Sequence, residues 1–247
     1  MSESKHRVNT KNFSRTLISL LCLVVVHSCE SIKDGSSSPS SSYREQFAID
    51  SILIETAPST EQEFLQFKYV LDSTETIFIQ KDSAFVHRYG DTLLLELQNG
   101  TQSTWINHHE DEDEDYVDYE YMGKLPAIGH FILNASFSEW RNYILVDVAT
   151  GDTTLLCGYP EVSPDRTLLI AGNSDLFSGF SFNGIQLFSL KNKMLHEVGE
   201  KELEWGVEDL YWADESSIVV KRNVYDSSQV ELQTTDYVKL LLTRPKK

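Results

Sequence analysis

Three hairpins written on one plan constrain this chain more than any other feature. The first runs Leu95-Glu96-Leu97-Gln98-Asn99-Gly100 and returns on Trp105; the second runs Val146-Asp147-Val148-Ala149-Thr150-Gly151 and returns on Leu156. The third, Phe188-Ser189-Leu190-Lys191-Asn192-Lys193, returns on Val198, and each return falls ten residues after the first apolar position compared (Leu95, Val146, Phe188). Apolar and polar residues alternate in each, and a Gly- or Asn-containing turn then reverses the chain. Those positions lie 51 and then 42 residues apart. A fourth unit runs from Leu210-Tyr211-Trp212 through Ile218-Val219-Val220 to Tyr237-Val238-Lys239-Leu240. Repeats of roughly 40–50 residues that each close on a hairpin are the pattern of propeller blades. The expected fold is all-β: antiparallel repeated sheets, either propeller-like with four units or an open stack of β-sheets.

The N-terminal half adds further strand-like runs at Phe47, Ile49 and Ile52-Leu53-Ile54, then Phe67-Lys68-Tyr69-Val70, Ile77-Phe78-Ile79, Phe85-Val86-His87-Arg88-Tyr89 and Leu93-Leu94-Leu95. β-branched and aromatic residues dominate them, with short polar turns between. One stretch, Ser59-Thr60-Glu61-Gln62-Glu63-Phe64-Leu65, has capping-box chemistry and predicts one or two helical turns.

The segment Val162-Ser163-Pro164-Asp165-Arg166-Thr167-Leu168-Leu169-Ile170-Ala171 resembles the S-P-D-G turn of bacterial WD40-like and TolB-type propellers. In those families the Asp and Gly close a tight turn between a blade's inner strands. Arg166 stands where they carry glycine. The resemblance covers residues 117–222 best, and four units are fewer than the six or seven typical of those families.

The first 29 residues carry an address. Lys5, Arg7, Lys11 and Arg15 precede a ten-residue apolar run, Leu17 to Val26, and Val26-His27-Ser28-Cys29 follows. The run is too short to span a bilayer, which takes roughly 20 residues, and has the length of a signal-peptide core. Val26, Ser28 and Cys29 resemble the bacterial lipobox, with His27 standing where a small residue is usual. The resemblance implies that Cys29 becomes the first mature residue and carries a diacylglycerol and an N-acyl chain; two or more chains give stable attachment where one is marginal. Cleavage at Ser28 by the ordinary signal peptidase is the alternative. The expected organisation is a signal peptide over 1–28, lipidated Cys29 with a Ser-rich tether to residue 44, and a β-repeat domain over 45–247. A tether of this length has a random-coil span of about 20 Å. The expected partner is the lipid bilayer, and the expected location is the envelope of a Gram-negative cell, anchored at the outer membrane.

Cysteine usage agrees with export. Of three cysteines, Cys22 leaves with the signal and Cys29 is alkylated, so Cys157 is the one remaining thiol and no internal disulfide forms. Cys157 lies in the apolar run Leu155-Leu156-Cys157 and reads as a small buried hydrophobe. Residues 1–28 carry four cations and one acid, so the mature chain carries −20 against −17 for the whole sequence. That charge repels nucleic acid and anionic headgroups and argues against them as partners; no nucleic-acid partner is expected.

Candidate contact residues fall in two groups. Tyr116, Tyr119 and Tyr121 follow the acidic run Glu110-Asp111-Glu112-Asp113-Glu114-Asp115, which His108 and His109 precede. Counted from Asp111, the sixth and twelfth positions are Tyr116 and Met122, not the Gly and Glu of an EF-hand, and the run reads as a solvated acidic loop rather than a metal site. Phe177, Phe180 and Phe182 alternate with Ser and Gly in a long loop; they either mark a contact surface or cap the core.

Catalytic signatures are thin. Gly179-Phe180-Ser181-Phe182-Asn183-Gly184 is one residue out of register with a nucleophile elbow, and neither H-E-x-x-H nor a phosphate-binding loop occurs. His87, His130 and His196 sit in strand-like runs and read as structural. Glu202, Glu204, Glu208 and Asp209 flank Trp205, a grouping that suits glycoside chemistry but equally a charged hairpin connection. No catalytic residue, metal ligand or cofactor is assigned. The expected function is a cell-envelope lipoprotein whose non-catalytic β-domain binds a protein, peptide or glycan; the alternative is a hydrolase acting on envelope or dietary polymers.

Overall fold

The computed structural model describes residues 44–69, 74–109, 116–192, 194–225 and 233–245. Cys29 and the acidic run 110–115 lie outside the described residues, as does Val70. Among the described residues, sixteen strands make four antiparallel sheets and two short helices lie beside them. The alternating apolar pattern accounts for this outcome, because most strands have an apolar face to bury and the inner strands of the middle sheets have two.

The first sheet holds β3 (Val86–Tyr89), β4 (Thr92–Glu96) and β5 (Gln102–Ile106). The second holds β6 (Asp118–Leu125), β7 (His130–Ser136), β8 (Arg141–Asp147) and β9 (Thr153–Leu156). The third holds β10 (Glu161–Val162), β11 (Leu168–Asn173), β12 (Gly184–Lys191) and β13 (Met194–Glu202). The three hairpins expected from their shared plan are β4–β5, β8–β9 and β12–β13, and each supplies the last two strands of its sheet. Leu97 and Val148, just past the ends of β4 and β8, are buried in one cluster, while Leu190 packs inside β12.

The fourth sheet joins both ends of the domain. Here β14 (Gly206–Trp212), β15 (Ser217–Tyr225) and β16 (Gln233–Thr243) are followed, in sheet order, by β2 (Ile52–Pro58) and β1 (Gln46–Ile49). The β16–β2 pairing runs from Val238 opposite Pro58 to Thr243 opposite Leu53.

Period-2 burial stacks the sheets. Phe131, Leu133 and Ala135 of β7 face the first sheet, whereas Ile132 faces the third. Leu169 and Ala171 of β11 face the second sheet, and Leu168 and Ile170 face the fourth, where Ile54, Trp212, Val220 and Leu240 meet them. Cys157 is buried in the cluster between the second and third sheets, and burial pushes its thiol up to about 12.

Helix α1 (Glu61–Phe67) forms where the capping chemistry expects one. Thr60 is the N-cap, accepting from the Glu63 backbone N–H at 3.2 Å, and the Ser59 hydroxyl donates to the Glu63 carboxylate at 2.8 Å. Phe64 buries the helix against Tyr211, Val219 and Tyr237 on the outer face of the fourth sheet. Two strand expectations are corrected. Ile77-Phe78-Ile79 lies in helix α2 (Glu75–Lys81), not a strand, and Phe67-Lys68-Tyr69 is the end of α1 and the coil after it. The Phe78 ring lies over Gly123 of β6, where a Cβ would stand 3.0 Å from it, so this helix is held by a groove distant in sequence.

The Ser-Pro-Asp segment is the turn between β10 and β11. Arg166 takes φ +56°, the left-handed conformation that glycine adopts more cheaply. Asp165 closes the turn by accepting from the Thr167 backbone N–H at 3.1 Å and from the Ser163 hydroxyl at 2.6 Å.

Candidate functional site

A cleft of about 740 Å³ opens where α1 hands the chain over to coil and where β8, β11 and β14 come together. Its wall is built on close backbone approach: a Cβ on Gly158 would lie 1.9 Å from the Gly172 carbonyl oxygen, so only glycine fits there. Both glycines line the cleft.

Four tyrosines dominate the lining. Tyr69 follows the C-cap of α1, where Lys68 takes an extended conformation and turns the chain over the cleft. Its ring meets that of Tyr211 edge-on, with centroids 5.2 Å apart. On the other wall, Tyr143 of β8 and Tyr159 form a perpendicular pair at 5.6 Å. Burial raises all four hydroxyls above the ordinary phenol range, Tyr159 to about 12, so all four remain hydrogen-bond donors at neutral pH.

Three carboxylates line the cleft, and two of them, Glu161 and Asp209, bond to its tyrosines. Glu161 accepts from the Tyr69 hydroxyl, while its backbone carbonyl accepts from the Trp212 indole N–H at 3.1 Å and fixes its place on β10. Asp209 accepts from the Tyr211 hydroxyl at 2.9 Å. Burial pushes Glu161 up to about 7 against the pull of the Tyr69 bond, and the Asp209 charge adds to the rise. Asp209 is also raised, first by burial and then by Glu208, with the Tyr211 bond and the Lys68 ammonium opposing. Among the described residues, neither carboxylate has a basic nitrogen within 4.0 Å. Glu208 differs, because it is paired with Lys221. Polar groups of Asn173, Ser174 and Asn223 complete the rim.

The sequence-expected contact residues lie elsewhere. Tyr121 is fully buried, its hydroxyl donating to Asp82 at 2.7 Å, and Tyr119 packs edge-on against Trp105 at 5.0 Å. Tyr116 stands beside His109 at the edge of the acidic run. Phe182 packs into the core between the second and third sheets, whereas Phe177 and Phe180 are exposed, 62% and 55%. The loop bearing them is ordered by Asp175. Burial alone would raise that carboxyl, but bonds from Ser178, Ser181 and Gly179 outweigh it and hold it at about 2. This loop begins at Ser174 on the cleft rim, and Phe177 meets Tyr225 at 5.3 Å.

Of the charged grouping around Trp205, only Glu208 and Asp209 reach the cleft. Trp205 itself is core, and its indole N–H donates to Glu45 at 2.9 Å. Among the described residues no three His, Cys, Asp or Glu side chains converge as metal ligands would. His130 is buried and bonds through Nδ1 to the Ile128 carbonyl at 2.9 Å. Sequence reasoning missed Tyr69, Tyr143, Tyr159, Tyr211 and Glu161. The one local signal was Tyr159-Pro160-Glu161, an aromatic and an acid straddling a proline at a sheet boundary. No family model matches this chain, and a search of curated proteins finds no match to it.

Proposed function

We propose that the chain is a cell-envelope lipoprotein, anchored to the outer membrane by acylated Cys29, whose β-domain is a non-catalytic binding module for a protein, peptide or glycan. The observation that carries the binding reading is the cleft itself, with four tyrosine rings and the Glu161, Glu208 and Asp209 carboxylates in its lining. Concave sites of this volume, lined by aromatic rings and a few placed polar groups, are the usual form of ligand sites. The anchor rests on the signal and lipobox residues, and the −20 charge of the mature chain keeps the domain clear of anionic headgroups. A four-unit propeller-like arrangement is the finer reading of the fold. It is supported by the pairing of N-terminal β2 with C-terminal β16, which brings both ends of the domain into the fourth sheet, and an open stack of β-sheets is the alternative.

Two experiments test this reading. Metabolic labelling with a palmitate analogue should mark the wild type and not Cys29→Ser; equal labelling of both sinks the anchor. Glycan and peptide arrays probed with the protein should give signals that Tyr211→Leu removes; an array pattern indifferent to that change sinks the cleft as the site.

A hydrolase is the second reading, favoured by one observation: Glu161 and Asp209 are two carboxylates of raised pKa in one cleft. Paired acids held at different protonation are the requirement for glycoside hydrolysis. Turnover of chromogenic glycosides that is lost in both Glu161→Gln and Asp209→Asn would establish it.

A further inference from the structure

We propose that the cleft takes a primary alkylammonium group, seated between the Glu161 and Asp209 carboxylates with its methylene chain against the Tyr69 and Tyr211 rings. This rests on the reading of the cleft as a binding site and goes beyond it by naming the chemistry of the ligand. Several acids of this protein pair with cations: Glu75 with Arg88, Glu63 with Lys239, Asp165 with Arg244, Asp236 with Arg222 and, on the cleft lining itself, Glu208 with Lys221. Among the described residues Glu161 and Asp209 have no such ion pair, and each accepts from a tyrosine hydroxyl of the cleft.

A carboxylate taken out of water needs a counter-charge, and two that face one space need it more. An ammonium group supplies three donors to the carboxylate oxygens that the tyrosines leave open. Tyrosine faces attract a cation within about 6 Å of the ring centroid and cover an alkyl chain at the same time. The nearby cations are Lys68 on the segment after α1 and Arg141 on β8, both exposed and neither within ion-pair distance of the two acids. They make a second ammonium on the ligand unfavourable, so the site suits one amine head rather than a polyamine.

The pH response follows from the same groups. Glu161 is faced by Tyr69 from the segment after α1, by Asp209 and Tyr211 from β14, and by Tyr159 from its own segment, while Lys68 and Glu208 act on Asp209. Arg141 and Tyr143 face the pair from β8. Among the described residues no histidine lines the cleft. The tyrosines and cations hold their charge states between pH 5.5 and 8, so a change in affinity over that interval reports the carboxylates.

The test is calorimetric titration of the full chain, extracted in detergent, with n-butylamine, Nα-acetyl-lysine amide, the neutral isostere Nα-acetyl-norleucine amide, and cellobiose. Binding of one or both amines is expected, at least tenfold tighter than the isostere, and weakening at least fivefold between pH 8 and 5.5. A lysine arm at least tenfold tighter than butylamine identifies a polypeptide lysine as the source, and equal affinities identify a free amine. Glu161→Gln and Asp209→Asn should each weaken amine binding at least tenfold, and if one fails to fold the other decides. Equal binding of lysine and norleucine amides, or amine affinity unchanged in the folded variants, overturns the proposal. Cellobiose binding without amine binding also overturns it while leaving the cleft a binding site. Absence of all binding overturns the ammonium assignment alone, because the arrays with Tyr211→Leu judge the site itself.

Discussion

The Arg244 guanidinium donates to Asp165 Oδ2 at 2.8 Å and to the Thr167 hydroxyl at 2.6 Å, tying the chain just past β16 to the turn between β10 and β11. The last strand of the fourth sheet thus locks the entry to the third. Asp165 already accepts from Ser163 and Thr167. Burial would raise its carboxyl, but these bonds and Arg244 outweigh burial and hold it at about 2. Asp165→Ala should therefore cost about 2 kcal/mol, since it removes a charged acceptor serving several donors. Because the folded value lies below the unfolded one, the contribution of Asp165 is complete above roughly pH 4 and is lost as the pH falls toward 2. Chemical denaturation of wild type and variant at pH 7 and pH 2.5 checks this: the gap should shrink at the lower pH.

Arg166 offers the converse change. Its φ of +56° costs a non-glycine residue about 1 kcal/mol, which Arg166→Gly relieves while making the unfolded chain more flexible. The two effects nearly cancel, so the variant should melt within about 2 °C of the wild type. Arg166→Val, β-branched at positive φ, should lose about 1–2 kcal/mol. Thermal melts of the two variants side by side decide the matter, and a tolerated valine would show that the turn has relaxed.

The turn and the hairpins were legible because their causes are local. Alternation over five or six residues and an Asn or Gly at the reversal suffice to write β4–β5, β8–β9 and β12–β13. Helix α2 was not legible, since Ile77 and Ile79 favour strand and the groove that receives Phe78 belongs to β6, more than forty residues on. The cleft was less legible still. Its tyrosines come from four separated segments, and nothing local distinguishes Tyr69 or Tyr143 from the buried Tyr121. The pairing of β1–β2 with β16 likewise joins the two ends of the domain, a relation no local pattern encodes.

Gly158 should not accept a side chain. A Cβ there would meet the Gly172 carbonyl at 1.9 Å, and backbone rather than a flexible side chain must move. Gly158→Ala should destabilise the protein by about 1–3 kcal/mol and disturb the cleft wall shared by the second and third sheets. Urea denaturation gives the first quantity, and loss of array signal in the folded fraction gives the second. Gly179→Ala, at a position with open space around it but φ +66°, is the control and should cost only about 1 kcal/mol of backbone strain.

Glu161 makes the stability of the protein depend on pH in the direction opposite to Asp165. Burial raises its carboxyl to about 7, above the ordinary unfolded value near 4.5. Between those values the folded state holds more protons than the unfolded one, so this group's contribution to stability falls as the pH rises through the interval. Below pH 4 both states are protonated, and Glu161→Gln should melt within about 1–2 °C of the wild type. Above pH 7 the wild type carries a half-buried charge that the amide does not, and the variant should melt higher, by on the order of 5 °C for a domain of this size. The measurement is the melting-temperature difference between variant and wild type at half-unit steps from pH 4 to 8.5. A difference that grows with pH and levels off above 7 matches a carboxylate held in the cleft without a counter-ion. A constant difference, or one that shrinks as the pH rises, would mean that Glu161 is already compensated in the folded protein.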